Sequence, residues 1–312
     1  MRIAGTSYND SLVNQLNFLS SQQFQLQTQI STGQRIQKPE DDPAGLATAL
    51  NLQTQAANAQ QYAQNVATLQ TTATSAGDAL QQLKTISDRA GEIATSADGT
   101  ASPTQLRAYA DEVNQMIQHA VQVANSKDGE HYLFSGTKSD TAPFSSTVDA
   151  NGNVTAVSYQ GNTDVGQREI DENSTITVDV PGANTSGSGP RGLLADDRYG
   201  ADFFNHLIQL QKDLASGDTA AVAQNDQPAL TKDEDNLIYH ISNNGIVQSR
   251  LDSAAIAAGN RQTSLQQALT KVAGVDVTQA ITDLSQQKTT YQAALASSSV
   301  LLQLQESVMQ YL

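Results

Sequence analysis

The sequence predicts a mainly α chain with a small β insert: long antiparallel helices, coiled-coil helices at both chain ends, and a central β-rich domain. Three observations predict it. Apolar residues recur at 4-3 spacing at both ends and along the long internal stretches. The 312 residues hold only 5% aromatics and no Trp, and Gln, Ala, Ser, Thr and Asn dominate, which suits long helices packed through small side chains better than a compact enzyme core. At "GEHYLFSGT" (129–137) aromatics and glycines appear and the helical spacing stops.

At the start of the chain Leu12, Leu16, Leu19, Leu26 and Ile30, with Gln23 on the same register, form a short seam, and Gly33 supplies a C-cap glycine. In "STGQRIQKPEDDPAGLA" (31–47) Pro39 is expected to keep the segment extended, while "DDP" restarts a helix with Asp42 as N-cap and Pro43 at its first position. Acids there also suit the helix dipole. From Pro43 to about Ala97, Tyr62, Val66, Leu69, Ala73, Ala76, Leu80 and Leu83 repeat the spacing. "DGTASP" (98–103) reads as a turn, followed by a helix bearing Leu106, Ala110, Val113, Ile117, Ala120 and Ala124.

Short alternating runs, "VTAVSYQ" (154–160) and "STITVDV" (174–180), separated by "DANGN" and "GNTDVG", read as hairpins of the insert, which closes in "PGANTSGSGPRG". Glycine-rich turns on both sides make the insert an expected candidate for removal with little disturbance to the helices. Helix resumes over 201–216 on the face Phe203, Leu207, Leu210 and Leu214. A long helix from about Pro228 to Val272 carries Leu230, Leu237, Ile241, Leu251, Ala255, Ala258, Leu265 and Leu269. After "AGVD", Val277, Ile281, Leu284, Tyr291, Leu295, Leu302, Met309 and Leu312 fall on one 4-3 series, with Lys288, Ser298 and Gln305 in its gaps. Two amphipathic ends so far apart in sequence require a partner, either each other or neighbouring copies. The nesting divides the chain into a terminal coiled-coil domain (1–42 and 277–312), a long-helix core domain (43–130 and 196–276) and a β-rich outer insert (131–195).

A net charge of -15 makes nucleic acid and anionic membranes poor partners. Without cysteine there are no disulfides or thiolate sites. "MRIAGTSYNDSLVNQL" lacks the continuous apolar core and cleavage site of a secretory signal, and "TTYQAALASSSVLLQLQ" (289–305) is too polar for lipid. No metal, cofactor or catalytic group is expected: His119, His131, His206 and His240 form no i, i+3 or i, i+4 set with carboxylates on a common helix. Glu169, Asp171 and Glu172 in "EIDENS" lack the ligand spacing and turn glycine of a calcium loop and read as solvated. Tyr132, Phe134 and Phe144 are expected to pack the junction of helix and insert. Arg35, Glu40, Asp41 and Asp42 read either as an ion-pair cluster, buried or between subunits, or as a solvated helix cap.

"ISTGQRIQKPEDDPAGLATAL" (30–50) resembles the N-terminal signature of bacterial flagellins and their relatives, and "SSSVLLQLQESVMQYL" (297–312) resembles their C-terminal signature. Within that superfamily "GEHYLFSGT", the stretch from "IVQSRLD" to "YQAAL" (246–295), and the pairing of Pro39 with Pro43 look more like the hook–filament junction branch than like flagellin. The resemblance implies a non-enzymatic structural subunit, an adapter layer between the hook and the flagellin filament. It further implies export through the flagellar type III apparatus without a cleaved signal, and an extracellular place at the hook–filament junction. The implied partners are copies of the chain itself in a helical or ring layer, a neighbouring hook-associated protein on the hook side, flagellin on the filament side, and an export chaperone at the C-terminal segment. On this reading the assembly interface comprises the two terminal seams, Leu12 to Ile30 and Val277 to Leu312, with Arg35, Asp41 and Asp42. The alternative is a flagellin-type filament subunit. An enzyme hidden in the insert, and a coiled-coil adhesin or phage-tail part, are disfavoured by the lack of a visible acid–base pair, by the missing secretion signal and by the paired terminal motifs.

Overall fold

The computed structural model describes residues 2–310, with side chains described for residues 10–300, 303 and 304. The helices are α1 (Arg2–Thr32), α2 (Pro43–Ser96), α3 (Pro103–Ala124), α4 (Phe203–Ser216), the single turn α5 (Thr219–Ala221), α6 (Gln227–Ala273) and α7 (Val277–Gln310), with a π-helical turn, Val222–Asp226, before α6. Between α3 and α4 lie nine short strands: β1 (Lys127–Asp128), β2 (His131–Tyr132), β3 (Phe144–Val148), β4 (Val154–Tyr159), β5 (Arg168–Asp171), β6 (Ser174–Ile176), β7 (Ala183–Asn184), β8 (Ala195–Asp196) and β9 (Ala201–Asp202). The chain divides into two compact units, one of residues up to Asn58 with those from Asn260 onward, the other Ala59–Gly259.

In the terminal unit α1 packs along α7. Their direction is antiparallel. Gln34 bridges Gly274, Arg35 N–H donates to the Ala273 carbonyl at 2.7 Å and Val275 N–H to the Gly33 carbonyl at 3.0 Å, while further out Gln287 Nε2 donates to Gln22 Oε1 at 2.5 Å. Gly33 ends α1 with φ +70°, a left-handed conformation that a side chain would strain. Pro39 departs from the extended expectation: it sits in a turn closed by Asp41 N–H to the Lys38 carbonyl at 3.1 Å. The fixed φ of proline suits the second position of such a turn as well as it suits an extended chain.

The larger unit is built on the heptads of α2. Val66, Leu69, Ala73, Ala76, Leu80, Leu83, Ser87, Ala90 and Ala94 are all buried, at alternating steps of three and four. Fifty-four unbroken residues make this helix about 80 Å long. A tight turn returns the chain as α3, whose start has a reciprocal cap: Ser102 accepts from Gln105 N–H and its own N–H donates to Gln105 Oε1. Bonds from Gln227 Nε2 to the Ala94 carbonyl, Lys84 to Glu234 and Gln70 to Asp252 set the first half of α6 antiparallel to α2. Leu106, Val113 and Ile117 of α3, Phe203, Leu207, Leu210 and Leu214 of α4, and Leu230 and Leu237 of α6 complete the main core.

The insert is woven into that core. β3 and β4 form a hairpin whose turn is stapled by Asp149, which accepts from Asn151 and Asn153 N–H at 2.8 Å each. Phe134, Phe144, Val154, Leu193 and Leu194 are buried with the helices, and the Phe144 ring lies 5.2 Å from Tyr159 and 5.3 Å from Phe204. The β5–β6 hairpin adds a second cluster, with Ile170 and Ile176 against Val66, Leu69 and Ala73 of α2 and Leu251 of α6. Removal without consequence is therefore not what the packing supports, because glycine-rich turns report chain reversal and not the fate of the apolar residues between them. The strand expected over 174–180 ends at Ile176. Beyond it the Asp179 side chain, and not a ladder partner, accepts from Gly166 N–H at 2.9 Å.

Candidate assembly interface

The loop joining α1 to α2 is organised by three side chains. Arg35 Nη2 donates to Asp42 Oδ2 and to the Val272 carbonyl, both at 3.0 Å, so one guanidinium joins the start of α2 to the last turn of α6. Asp42 Oδ1 accepts from Gly45 N–H at 2.8 Å, the N-cap geometry expected of "DDP". Asp41 Oδ2 accepts from Gln37 and Lys38 N–H, both at 2.9 Å. Within the chain the acids therefore cap and brace, and Arg35 and Asp42 remain partly exposed. An ion pair so placed contributes little by charge alone, and the backbone hydrogen bonds carry the geometry.

Those hydrogen bonds hold both carboxyls below the usual aspartate range: Asp41 through Gln37 and Lys38 N–H, Asp42 through Gly45 N–H and then Arg35. A depressed pKa contributes stability that is present above the ordinary carboxylate range and lost as pH falls through the lowered value. The α1–α2 loop is thus expected to loosen below about pH 4, the unperturbed aspartate value. Amide exchange at Gln37, Lys38 and Gly45 measures this; protection unchanged from pH 6 to pH 3 contradicts it.

Gly45 is fixed by space. A Cβ there would lie 2.4 Å from Asp42 Oδ2 and 2.7 Å from Cδ1 of the buried Ile36. Gly45→Ala adds about 1 kcal/mol of helix propensity but forces overpacking that costs about 1–3 kcal/mol. Net destabilisation of the terminal unit is expected in thermal melts, and a stabilised variant would show that the cap rearranges at no cost.

The two seams behave differently. On α1, Leu19 is buried and Leu12, Leu16, Leu26 and Ile30 are half-buried. On α7 the inward positions are Ala280, Leu284, Gln287, Tyr291, Ala294 and Ser298, again at 4-3 spacing. The sequence series shares Leu284, Tyr291 and Ser298 with this face. Its other half, Val277, Ile281 and Leu295, is outside, at 44%, 53% and 44% exposure. Two small alanines face inward in register with Gln287, and the large aliphatics turn away, so α7 has two apolar faces that share an edge. The side chains of Leu302 and Met309, and Leu312, also expected on this seam, lie outside the described residues. Sequence spacing missed Phe18 and Phe24 on α1, off the seam and 61% and 71% exposed. Their signal was aromaticity alone, in a chain with only six Phe.

Elsewhere two of the four histidines, His206 and His240, are packed into the larger unit, and His119 and His131 are exposed. His240 is buried beside the Gly192 carbonyl, 3.1 Å from Nε2, and burial pulls its pKa down to about 4. His206 Nδ1 lies 2.7 Å from Asp233 Oδ2, whose other oxygen accepts from Asp202 N–H at 2.8 Å. Among the described residues there is no group of three or more His, Cys, Asp or Glu suited to a metal ion, and no helix long and apolar enough to cross a membrane.

Comparison with known proteins gives a consistent picture. The bacterial flagellin N-terminal helical region matches residues 7–139, and the bacterial flagellin C-terminal helical region matches residues 235–312, together more than half of the chain. Flagellar hook-associated protein 3 of Escherichia coli (strain K12) is 24% identical over 280 residues, spanning 85% of this chain and 86% of that protein. The solved structure of a candidate flagellar hook-associated protein from Vibrio parahaemolyticus superposes with a TM-score of 0.63 at 22% identity, covering 75% of this chain and all of that one. A flagellar junction protein from Legionella pneumophila gives a TM-score of 0.50 at 14% identity, covering 74% and 99%.

Proposed function

This chain belongs to the flagellin superfamily, and from that premise we propose that it is a structural subunit of the bacterial flagellum, forming the adapter layer between hook and filament. The observation that carries the reading is the outward apolar surface of the terminal helices: Phe18 and Phe24 on α1, Val277, Ile281 and Leu295 on α7. A chain that worked alone would rarely leave so many large apolar side chains in water on one pair of helices. Neighbouring copies would cover them.

On this reading the terminal coiled-coil domain (1–42 and 277–312) is the assembly module, and the long-helix core (43–130 and 196–276) carries the insert, residues 131–195, which faces outward in the assembly. Leu12, Leu16, Leu19, Leu26 and Ile30 hold α1 to α7 within a copy. Ile281 and Leu295 meet the next copy, and Arg35, Asp41 and Asp42 shape the loop presented beside it. The partners are further copies of the chain, a hook-associated protein on one side, flagellin on the other, and an export chaperone for the C-terminal segment before assembly. The chain acts by binding and not by catalysis, outside the cell. The alternative, a flagellin-type filament subunit, is supported less well, because the relative matched over most of both lengths is a hook-associated protein.

Reconstitution tests the proposal. Isolated hooks lacking this layer are expected to seed flagellin polymerisation only after the purified chain has been added. Polymerisation on bare hooks at the same rate, or long filaments formed by the chain alone, would point to the alternative.

A further inference from the structure

A buried carboxyl in the larger unit has an oxygen that no donor reaches. The π-helical turn before α6 carries Asp226 at its last position, 2% exposed, with a buried Oδ2 that has no hydrogen-bond partner. The group in hydrogen-bonding position beside it is another carboxyl, Asp213 of α4, whose Oδ2 accepts from Gln209 Nε2 at 2.9 Å. Two ionised carboxylates offer only acceptors to such a contact, so a bond between them requires that one carry a proton. We propose that Asp226 keeps a proton that it donates to the Asp213 carboxylate, and that this bond is a pH-sensitive clasp holding α4 to the turn that leads into α6.

The surroundings favour the proton. Asp218, at the start of α5, adds negative charge, and His206 of α4 is the cationic group that opposes it. His206 is itself engaged by Asp233 of α6 at 2.7 Å, with Asp202 and Lys232 beside it. Burial works against the charged imidazole, but the Asp233 bond and charge outweigh it and hold His206 above its ordinary value. Its charge is thus committed to Asp233. Burial first, then the charge and hydrogen bond of Asp213, push Asp226 up to about 7.

The sign follows from linkage. Between the ordinary aspartate range, around pH 4, and the raised value, the folded chain holds a proton that the unfolded chain releases. Stability therefore declines as pH rises through that window, and the clasp is lost above it. The acid-side loosening expected for the Asp41 and Asp42 loop runs the other way, so the two effects separate by position as well as by pH.

Carboxyl-carbon NMR on the full-length chain labelled with 13C-aspartate, between pH 4 and pH 9, tests the pairing. One aspartate resonance is expected to titrate near neutrality, to disappear in Asp226→Asn, and to move to lower pH in Asp213→Asn. All aspartates titrating below pH 5 would overturn the proposal, as would a near-neutral titration that survives Asp226→Asn. Amide exchange of residues 222–226 in the wild-type chain, corrected for the intrinsic rate, gives a readout that needs no variant. It is expected to accelerate at least several-fold between pH 6 and pH 8.5. A rate flat across that range, or acceleration abolished by millimolar calcium or magnesium at pH 8.5, would replace the proton by nothing or by a bound cation.

Discussion

Deleting residues 138–195 and joining the ends through a short linker is expected to unfold the unit that spans residues 59–259. The deletion removes Phe144, Val154, Ile170, Ile176, Leu193 and Leu194, all buried against α2, α3, α4 or α6. At about 1.5–3 kcal/mol for each buried side chain the loss is roughly 9–18 kcal/mol. A whole domain is stable by only about 5–15 kcal/mol. The cut also strips Phe204 of its ring contact with Phe144 and opens the apolar face of α4 to water. Loss of the cooperative near-ultraviolet signal, with incorporation abolished, is the expected result. A deleted chain that melts cooperatively near the wild-type temperature would show that the helices close over the gap.

Ile281→Ser with Leu295→Ser is expected to spare the free chain and abolish its incorporation. Both side chains are about half exposed in the single chain, so their replacement should change monomer stability by no more than about 0.5 kcal/mol. If neighbouring copies bury the exposed half, each contributes about 0.7–1.5 kcal/mol. Together that is roughly 1.5–3 kcal/mol, or about one to two orders of magnitude in affinity at each contact. Leu284→Ser is the contrast, because Leu284 lies on the face turned toward α1 and its loss should lower monomer melting first. Normal incorporation of the double variant, or equal destabilisation of the free chain by all three changes, contradicts the division of α7 into an inner and an outer face.

Local chemistry was readable from residues close in sequence. The 3-4 pattern from Val66 to Leu83 located the buried face of α2, and "DDP" located the Asp42 cap, because both depend on neighbours within one or two helical turns. Gly33 ended α1 for the same reason. What the sequence could not settle depends on distant partners. A heptad series does not say which of its two adjacent faces meets the chain's own helix, so Ile281 and Leu295 could not be told apart from Leu284. The seating of Phe144 and Leu194 among the helices depends on how the insert folds back. Asp233 lies 27 residues from His206, and Asp226 lies beyond the Gly217 end of the helix that carries Asp213, so a search at i, i+3 and i, i+4 passes over both.

The most direct test of the adapter role is electron microscopy of cells from which this chain alone has been deleted, together with the protein content of their medium. The account predicts hooks of normal form without filaments, and flagellin shed as monomer into the medium. Filaments still attached to the hooks would contradict it, as would bare hooks with no flagellin released, the pattern expected if the chain were itself the filament subunit.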